Sequence, residues 1–488
     1  MKHFLPEIIF GSKNNQETKR ISKQLQAGQL RKIAPKIYTP NLTDSVEDII
    51  YQNRYLIAGH LFPRAIVSFR TAFEGDVKRG GTLFLTYRYR RKVSLPGLTI
   101  QLVLGSMATQ GTQPFLETLL ISGYERTLLE NLQPSRQRST TRKTVAQTSI
   151  EQRLDKLCQI RGEEELNYLR ESAKTIAEST NMEKEYAKLE RLIGAILGSR
   201  STDILNTPQA RARAQGLPYD PERLELFMSL HALLRSTVLP VRQLPETPAI
   251  LRNIAFFDAY FSNYIEGTEF EPDEAADIVF LNRPLAHRHE DSHDIIATYQ
   301  LASDPVAIRL RPDTPAAFEA ILKKRHSILL AARKEKQPGE FKSIINRAGN
   351  TIFVSPELVR GTLAKGFELY RLLNEPFARA VFIMFIVSEV HPFLDGNGRL
   401  ARIMMNAELV AAEQCRIIIP TVFREDYLLT LRRLSRNGDP ESYLKMLDRA
   451  QEFISKINWT NYDKAMKMLY ISNAFTRHDE GVYLKMPE

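Results

Sequence analysis

Apolar residues recur with different periods in different parts of the chain. Between Ile150 and Val238 they repeat at helical spacing, as at Leu154, Leu157 and Ile160, with many Glu, Lys, Arg and Ala residues between them. This spacing predicts a helical region. The first 130 residues instead contain β-branched and aromatic runs broken by turn signals, which predicts a mixed α/β or α+β unit. The chain as a whole is therefore expected to be mainly α, with its strands near the amino terminus.

Within the amino-terminal unit, residues 17–28 are predicted to form a short helix and residues 29–39 a small β-wing. From residue 81 to residue 92 apolar and basic side chains alternate, which predicts one strand with an apolar face and a basic face. The basic face would carry Arg88, Arg90 and Lys92. An ordinary solvated strand face explains the same alternation without any ligand.

Composition suggests where one domain gives way to the next. Residues 133–150 are polar, basic and without periodicity, which is typical of a linker. Prolines between residues 218 and 248 mark the end of the helical region. The predicted division is a basic α/β or winged-helix-like module at 1–132, the linker at 133–150, a helical region at 151–250, an all-helical domain at 251–460 and a tail at 461–488.

Charge is distributed unevenly between these segments. Residues 1–150 contain 22 Lys and Arg against 10 Asp and Glu, a net charge of +12, whereas the remainder carries 45 against 47, or −2. A basic excess confined to one module makes a nucleic acid or another polyanion a candidate partner for that module. The rest of the chain requires no such partner.

No targeting, membrane or disulfide signal appears in the sequence. The longest unbroken apolar run, residues 380–387, is far shorter than the 18 or so residues of a membrane span. The two cysteines, Cys158 and Cys415, lie far apart and match no metal-binding spacing. We therefore expect a cytoplasmic protein without a membrane partner.

The candidate chemistry is concentrated in residues 391–402, with the sequence HPFLDGNGRLAR. The strongly apolar segment before it predicts a buried helix, which His391 should end because the residue before a proline disfavours the α conformation. Glycines at 396 and 398 allow successive N–H groups to converge on an anion. An amphipathic helix is predicted from about Arg399, so its positive dipole end would face the same anion.

The side chains of this segment fit phosphate chemistry. Arg399 and Arg402 lie three residues apart on one helix face, Asp395 supplies a carboxylate suited to Mg²⁺, and His391 is left as a general base. A helix-capping histidine followed by a tight turn explains the same residues without catalysis. A metal pair formed by His391 and Asp395 is disfavoured by the proline and glycines nearby.

These twelve residues resemble the full signature of the Fic family, HPFx(D/E)GNGRxxR. The resemblance implies an all-helical domain that transfers AMP from ATP to a Ser, Thr or Tyr hydroxyl of a protein, with ATP and Mg²⁺ bound. By position, His391 would deprotonate the hydroxyl and Asp395 would bind Mg²⁺. The phosphates would be held by Gly396, Asn397, Gly398, Arg399 and Arg402, with Phe393 as a buried anchor. Tyr427 would line the adenine pocket or belong to the core.

Two further segments resemble regulatory parts of the same family. Residues 346–354 predict a β-hairpin with its turn near Gly349 and Asn350, similar to the Fic flap that clamps a target peptide. Its docking residues would be Asn350, Thr351, Ile352, Phe353 and Val354; an ordinary loop is the alternative. Ser262, Glu266 and Gly267 match the inhibitory pattern (S/T)xxxE(G/N), which implies that Glu266 pairs with Arg402.

Other segments leave more than one interpretation open. Residues 287–293 contain three histidines and two acids, but capping of a helix start by Asp291 and Ser292 explains them better than a metal site. Residues 15–130 resemble the winged-helix start of AbiEi-type antitoxins. The alternatives to an adenylyltransferase autoinhibited by Glu266 are therefore a DNA-binding toxin–antitoxin-type regulator with an inactive or nucleotide-sensing Fic domain, and an enzyme that removes AMP. The sequence also leaves open whether the protein forms a homodimer.

Overall fold

A computed structural model describes residues 6–12, 14–116, 118–135, 141–245, 247–477 and 480–487. The chain divides into two compact units, Met1–Gly216 and Leu217–Glu488. Twenty α-helices and eleven short strands in the described residues make the protein mainly α, as predicted. In this part of the chain, no helix combines the length and the apolar content that a bilayer crossing requires.

The first unit combines two sheets with nine helices among its described residues. The strands are β1 (Ile9–Phe10), β2 (Arg31–Ala34), β3 (Ile37–Thr39), β4 (Ile66–Val67), β5 (Thr82–Tyr87), β6 (Arg91–Leu95), β7 (Leu98–Leu104), β8 (Thr112–Pro114) and β9 (Leu120–Ser122). The helices are α1 (Asn15–Gln26), α2 (Val46–Gln52), α3 (Arg54–Leu61), α4 (Phe69–Glu74), α5 (Tyr124–Asn131), α6 (Gln147–Arg161), α7 (Glu163–Thr180), α8 (Glu183–Ile196) and α9 (Pro208–Ala214). The sheet orders are β1-β3-β2 and β6-β7-β5-β4-β9-β8.

The predicted helix and β-wing are confirmed as α1 and the antiparallel pair β2–β3. The prediction of a single strand over residues 81–92 was wrong. β5 ends at Tyr87, exposed residues 88–90 separate it from β6, and each of the two strands pairs with β7. Phe84 and Thr86 are buried as well as Leu83 and Leu85, because both faces of β5 are covered.

Helices α6–α9 confirm that the region after the predicted linker is helical, and they share a core with α5. The predicted bounds of this region, 151–250, were wrong, because the chain divides after Gly216 and residues 217–250 belong to the second unit. The described end of the predicted linker, residues 141–146, is tied to the same unit. The Arg70 guanidinium donates to the carbonyls of Arg142 and Thr144, both at 2.9 Å. Val145 N–H donates to Asn131 Oδ1 at 3.0 Å. The structure thus places no division of the chain at this segment, and residues 136–140 lie outside the described residues.

The second unit is helical apart from one hairpin, β10 (Arg347–Ala348) with β11 (Thr351–Ile352). Its helices are α10 (Pro221–Ser236), α11 (Pro248–Ile265), α12 (Pro272–Phe280), α13 (His289–Ser303), α14 (Pro315–Leu329), α15 (Val359–Tyr370), α16 (Pro376–Val390), α17 (Asn397–Ala411), α18 (Arg424–Asn437), α19 (Pro440–Ser455) and α20 (Tyr462–Ile471). Ala465 and Leu469 of α20 belong to the same core as the other helices, so this part of the predicted tail is packed.

α16 and α17 lie at the centre of this unit and are buried on nearly every side. The prediction that α17 is amphipathic was therefore wrong. Leu400, Ile403, Ala407 and Val410 are buried as expected, but Glu408 on another face is also buried. Its carboxylate is satisfied by Arg379, which lies 2.8 Å away. Charged residues on a helix can be buried when the fold supplies partners for them, so they do not by themselves identify a solvent-exposed face.

Candidate functional site

His391 stands at the point where α16 ends, as predicted. Its backbone takes a left-handed conformation, with φ of 52°, and its N–H still donates to Val387 O at 3.0 Å. Nδ1 lies 3.3 Å from Ser388 O and the ring stacks on Phe353 with centroids 3.8 Å apart. Because a carbonyl can only accept, Nδ1 carries the proton and Nε2 keeps a free lone pair.

Burial, and then the charge of Lys342, lowers the pKa of His391 to about 4. Lys342 is itself buried, and burial followed by the charge of Arg223 lowers its pKa to about 8. At neutral pH His391 is therefore neutral, which is the form that a general base requires.

The loop after His391 is held by side chains rather than by regular structure. Asn397 Oδ1 accepts from Phe393 N–H and its Nδ2 donates to Phe393 O, both at 2.9 Å. Phe393 is fully buried and stacks on His326, with centroids 3.8 Å apart. His326 Nδ1 accepts from Gly339 N–H, so Nε2 donates to Asp395 O at 3.0 Å. The Asn397 amide is thus committed to the loop itself.

The amino terminus of α17 is suited to binding an anion, and the Glu266 carboxylate already lies there. Gly396 precedes the helix with φ of 71°, and the next glycine, Gly398, lies in its first turn. A Cβ atom at Gly398 would overlap the Glu266 carboxylate. Glu266 therefore places its negative charge at the positive end of the helix, where a phosphate would be favoured.

Arg402 is bound by the end of α11 through three contacts. Its Nε donates to Ser262 Oγ at 2.9 Å, and its Nη2 donates to Ser262 O at 2.9 Å and to Glu266 Oε1 at 2.6 Å. Burial opposes the charge, but the Glu266 carboxylate outweighs it and raises the pKa of Arg402. Gly267 follows in a left-handed conformation, with φ of 92°, and ends the helix as predicted.

Arg399 points to a different partner. Its Nη1 lies 2.6 Å from Asp294 Oδ2 on α13 and 3.4 Å from Asn263 Oδ1, and the side chain is buried. Asp294 also accepts from Arg333 Nε at 3.0 Å. The two signature arginines thus have separate carboxylate partners, Asp294 for Arg399 and Glu266 for Arg402.

The predicted hairpin is confirmed, with Gly349 and Asn350 at its turn. Hydrogen bonds from three side chains hold it to the rest of the unit. Arg223 donates to Ile352 O at 2.6 Å, Arg436 donates to Thr351 Oγ1 at 2.8 Å, and Asn346 just before it donates to Phe393 O at 2.8 Å. Val354 after it is buried in the core.

A cavity of about 360 Å³ lies between this hairpin, the start of α17 and α18. The predicted site residues that line it are Glu266, Thr351, Phe353, His391, Gly398, Arg402 and Tyr427. The predicted residues outside its described lining are Ser262, Gly267, Asn350, Ile352, Val354, Asp395, Gly396, Asn397 and Arg399. The cavity therefore combines a neutral histidine, a helix amino terminus and one buried arginine.

Sequence reasoning missed four residues that shape this site. His326 supports the loop, Asp294 binds Arg399, and Ser388 and Glu389 line the cavity. A signal existed for Glu389, since a carboxylate in an otherwise apolar helix requires a buried partner. The partners of His326 and Asp294 are too distant in sequence for any local pattern to reveal them.

One carboxylate of the site could hold a cation. Asp395 Oδ1 accepts from Gly396 N–H at 2.6 Å, and no described group donates to Oδ2. Among the described residues, no three His, Cys, Asp or Glu side chains are grouped to hold a metal ion, at residues 287–293 or elsewhere. A single carboxylate fits Mg²⁺, which completes its shell with water and phosphate oxygens.

Comparison with known proteins points to one family. The profile of the Fic/DOC family matches residues 318–409. A Fido domain-containing protein of Dictyostelium discoideum is 31% identical over 108 residues, which cover 20% of this chain and 76% of that protein. The protein adenylyltransferase Fic of Drosophila persimilis is 25% identical over 221 residues, covering 43% of this chain and only 42% of that protein. A Fic domain containing signaling protein from Bacteroides thetaiotaomicron has a TM-score of 0.36 at 19% identity, covering 48% of this chain and 96% of that one.

Proposed function

Because this chain belongs to the Fic/DOC family, we propose that it is a protein adenylyltransferase, which transfers AMP from ATP to a hydroxyl group of a target protein. One observation carries the proposal. A single cavity joins the free Nε2 of His391, the amino terminus of α17, Arg402 and the hairpin strand β11. These are a base, an anion site and a strand edge on which a peptide can pair.

In this reaction the oxygen of the target hydroxyl attacks the α-phosphorus of ATP. A bond forms between them, the bond from the α-phosphorus to the bridging oxygen breaks, and pyrophosphate leaves. His391 Nε2 takes the hydroxyl proton, while the Ser388 carbonyl fixes the ring through Nδ1. The first-turn N–H groups of α17 and the Arg402 guanidinium neutralise phosphate charge.

Asp395 is the residue that would hold Mg²⁺, with Oδ2, to which no described group donates, as the ligand. When bound, the ion would neutralise phosphate charge and orient the phosphates. Arg399 would support this arrangement indirectly, because its guanidinium is already paired with Asp294. The proposal thus assigns the outer phosphates to Arg402 alone.

We further propose that Glu266 is an inhibitory residue. Its carboxylate occupies the helix terminus and binds Arg402, two groups that the phosphates of ATP also need. Glu266→Gly should therefore raise transfer of AMP about tenfold or more, within the usual range of coupling between two ligands for one site. Incorporation of radioactivity from α-labelled ATP into protein measures this, including self-modification.

The matched control is Glu269→Gly, which removes a nearby glutamate that binds Arg477 and does not line the cavity. It should leave the rate unchanged. Adding His391→Ala to Glu266→Gly should abolish incorporation. Equal rates for the Glu266→Gly and wild-type proteins would contradict inhibition, and label that persists without His391 would contradict the assigned chemistry. Loss of label from a modified protein would instead favour AMP removal.

We propose nucleic-acid binding as a second function, carried by the first unit. A cavity of about 540 Å³ on the β5–β6–β7 face is lined by Arg90, Lys92, Arg142 and Lys143, and no acidic side chain is among its described lining residues. Binding of labelled DNA should weaken steeply with salt and weaken further in Arg90→Gln/Lys92→Gln. Salt-independent or undetectable binding would contradict this function.

A further inference from the structure

The catalytic cavity extends beyond the groups that would hold phosphates. On α18, Tyr427 adjoins Arg402, and Leu431 and Ser435 follow at intervals of four residues on the same helix face. Eight residues of helix span about 12 Å, so Ser435 lies about that far from the phosphate end. A nucleoside triphosphate that places its outer phosphate at Arg402 would bring its base to this end of the cavity.

Two leucines and a polar pair, Glu389 and Ser435, form this end of the cavity. Leu428 and Leu431 supply apolar surface for the faces of a planar ring. Glu389, only 2% exposed, supplies a carboxylate. Its Oε1 forms an ion pair with Arg223 Nη1 at 2.9 Å and accepts from the Ser435 hydroxyl at 3.0 Å. No described group donates to Oε2.

The hydrogen-bonding character of this pair follows from those contacts. The Ser435 hydroxyl has already given its proton to Glu389, so it offers the cavity only lone pairs. Glu389 Oε2 likewise can only accept. The nearby Ser388 hydroxyl is buried beside the Tyr427 phenol. Glu389 Oε2 is therefore the acceptor at this end of the cavity to which no described group donates, and such an acceptor favours a ligand that supplies a donor.

We infer that Glu389, oriented by Ser435, recognises the exocyclic amino group of the nucleobase and makes the site selective for adenine. This inference rests on the proposed function, since it assumes a nucleotide in the cavity. Adenine presents an amino group at C6, whereas hypoxanthine presents a carbonyl oxygen there. A carbonyl oxygen in the place of the amino group would face the carboxylate oxygen with no hydrogen atom between the two acceptors. Guanine is disfavoured because its two adjacent donors, N1–H and the C2 amino group, would need both oxygens of the carboxylate. Oε1 of Glu389 is already used by Arg223 and Ser435.

A purely structural role for Glu389 makes a different prediction. Glu389 binds Arg223, which also donates to Ile352 O of the hairpin, so its loss could loosen the cavity as a whole. Such a loss would weaken the binding of every nucleotide equally. A change in the preference for ATP over ITP, the inosine analogue, is what a base-recognising residue alone would cause.

The test is calorimetric titration of the full-length Glu266→Gly protein with ATP and with ITP. ATP should bind about tenfold tighter or more, as expected for one hydrogen bond to a charged group. Adding Glu389→Gln should bring the two affinities close together, because the amide nitrogen can donate to the C6 oxygen. Adding Arg223→Lys should shift both affinities alike and keep the preference.

Ser435→Ala gives a second measurement should Glu389→Gln fail to fold, which Trp459 fluorescence reports. It should also reduce the preference, because the alanine no longer orients Glu389. Equal affinities in the starting protein, or a preference that survives both changes, would overturn the inference while leaving the proposed transferase intact. Failure to bind either nucleotide would overturn the proposed function and the inference with it.

Discussion

Gly396 is a residue at which backbone conformation and packing act together. Its φ of 71° disfavours a side chain, and a Cβ atom there would also overlap Leu330 Cδ2. We expect Gly396→Ala to lower the free energy of unfolding by about 2 to 5 kcal/mol, since strain and overpacking add. Urea titration followed by fluorescence of Trp459, the single tryptophan of the chain, reports on the second unit.

Gly267 provides the matched control. It also has positive φ, 92°, but nothing lies within 4 Å of a Cβ atom there. Gly267→Ala should therefore cost only the conformational part, about 1 to 2 kcal/mol. Equal losses for the two substitutions would mean that Leu330 moves aside, and that contact with Gly396 does not constrain the loop.

Single residues were predictable from the sequence where their chemistry is local. His391 ends its helix because Pro392 follows, and Gly267 ends α11 by the rule for left-handed caps. The contact of Glu266 with Arg402 was implied only by family resemblance, and the structure brings the two together. The Asp294 partner of Arg399 could not be predicted, because it comes from a helix 105 residues earlier.

The hairpin β10–β11 is an element whose stability comes from its surroundings. Two residues per strand cannot be stable alone, so side chains from other helices must hold it. Arg436 is one of these, through two hydrogen bonds to Thr351 Oγ1. We expect Arg436→Ala to speed amide hydrogen exchange at residues 347–352 several-fold, because local opening becomes easier.

Arg432, one turn earlier on α18, is the control for this experiment. Its guanidinium donates to Leu428 O and approaches Glu425, and none of its described hydrogen bonds or ion pairs is with the hairpin. Arg432→Ala should leave the exchange of residues 347–352 as it was. Similar acceleration in both variants would indicate that α18 as a whole, rather than one side chain, supports the hairpin.

Helices and strands were predictable from the sequence where apolar residues follow a single period, and less predictable where both faces of the element are buried. The helices of 147–214 follow their apolar spacing. The burial of α17 on nearly every side could not be predicted, because it depends on partners for the charged residues of the helix. Only the fold supplies those partners. β5 was predicted to be longer than it is, because the alternation of apolar and basic residues continues into the turn that follows the strand. The spacing of side chains does not show where such a strand ends.

At the scale of the molecule, two histidines, the buried His326 and the partly buried His391, make stability depend on pH. Burial lowers the pKa of His326 and of His391 from 6.5 to about 4. The unfolded chain therefore binds protons as the pH falls below 6.5, while the folded protein binds none until about pH 4. The free energy of unfolding should fall by about 2 kcal/mol per histidine between pH 7 and pH 5.

Urea titrations at pH 7, 6 and 5, followed by Trp459 fluorescence, measure this slope. Replacing His326 with phenylalanine removes one titrating group and should reduce the slope by about half, whatever it does to stability at pH 7. A slope that is unchanged by the replacement would show that His326 already accepts a proton in the folded protein.

The contact between Glu266 and Arg402 joins two residues of one chain, and this has a consequence for cells. A tethered carboxylate acts at an effective local concentration that does not fall when the protein is diluted or scarce. Under the proposed function, only a group of greater charge, such as the terminal phosphate of the substrate, competes for the same guanidinium. The rate of modification per enzyme molecule would then follow the supply of nucleoside triphosphate and would not change with the abundance of the enzyme.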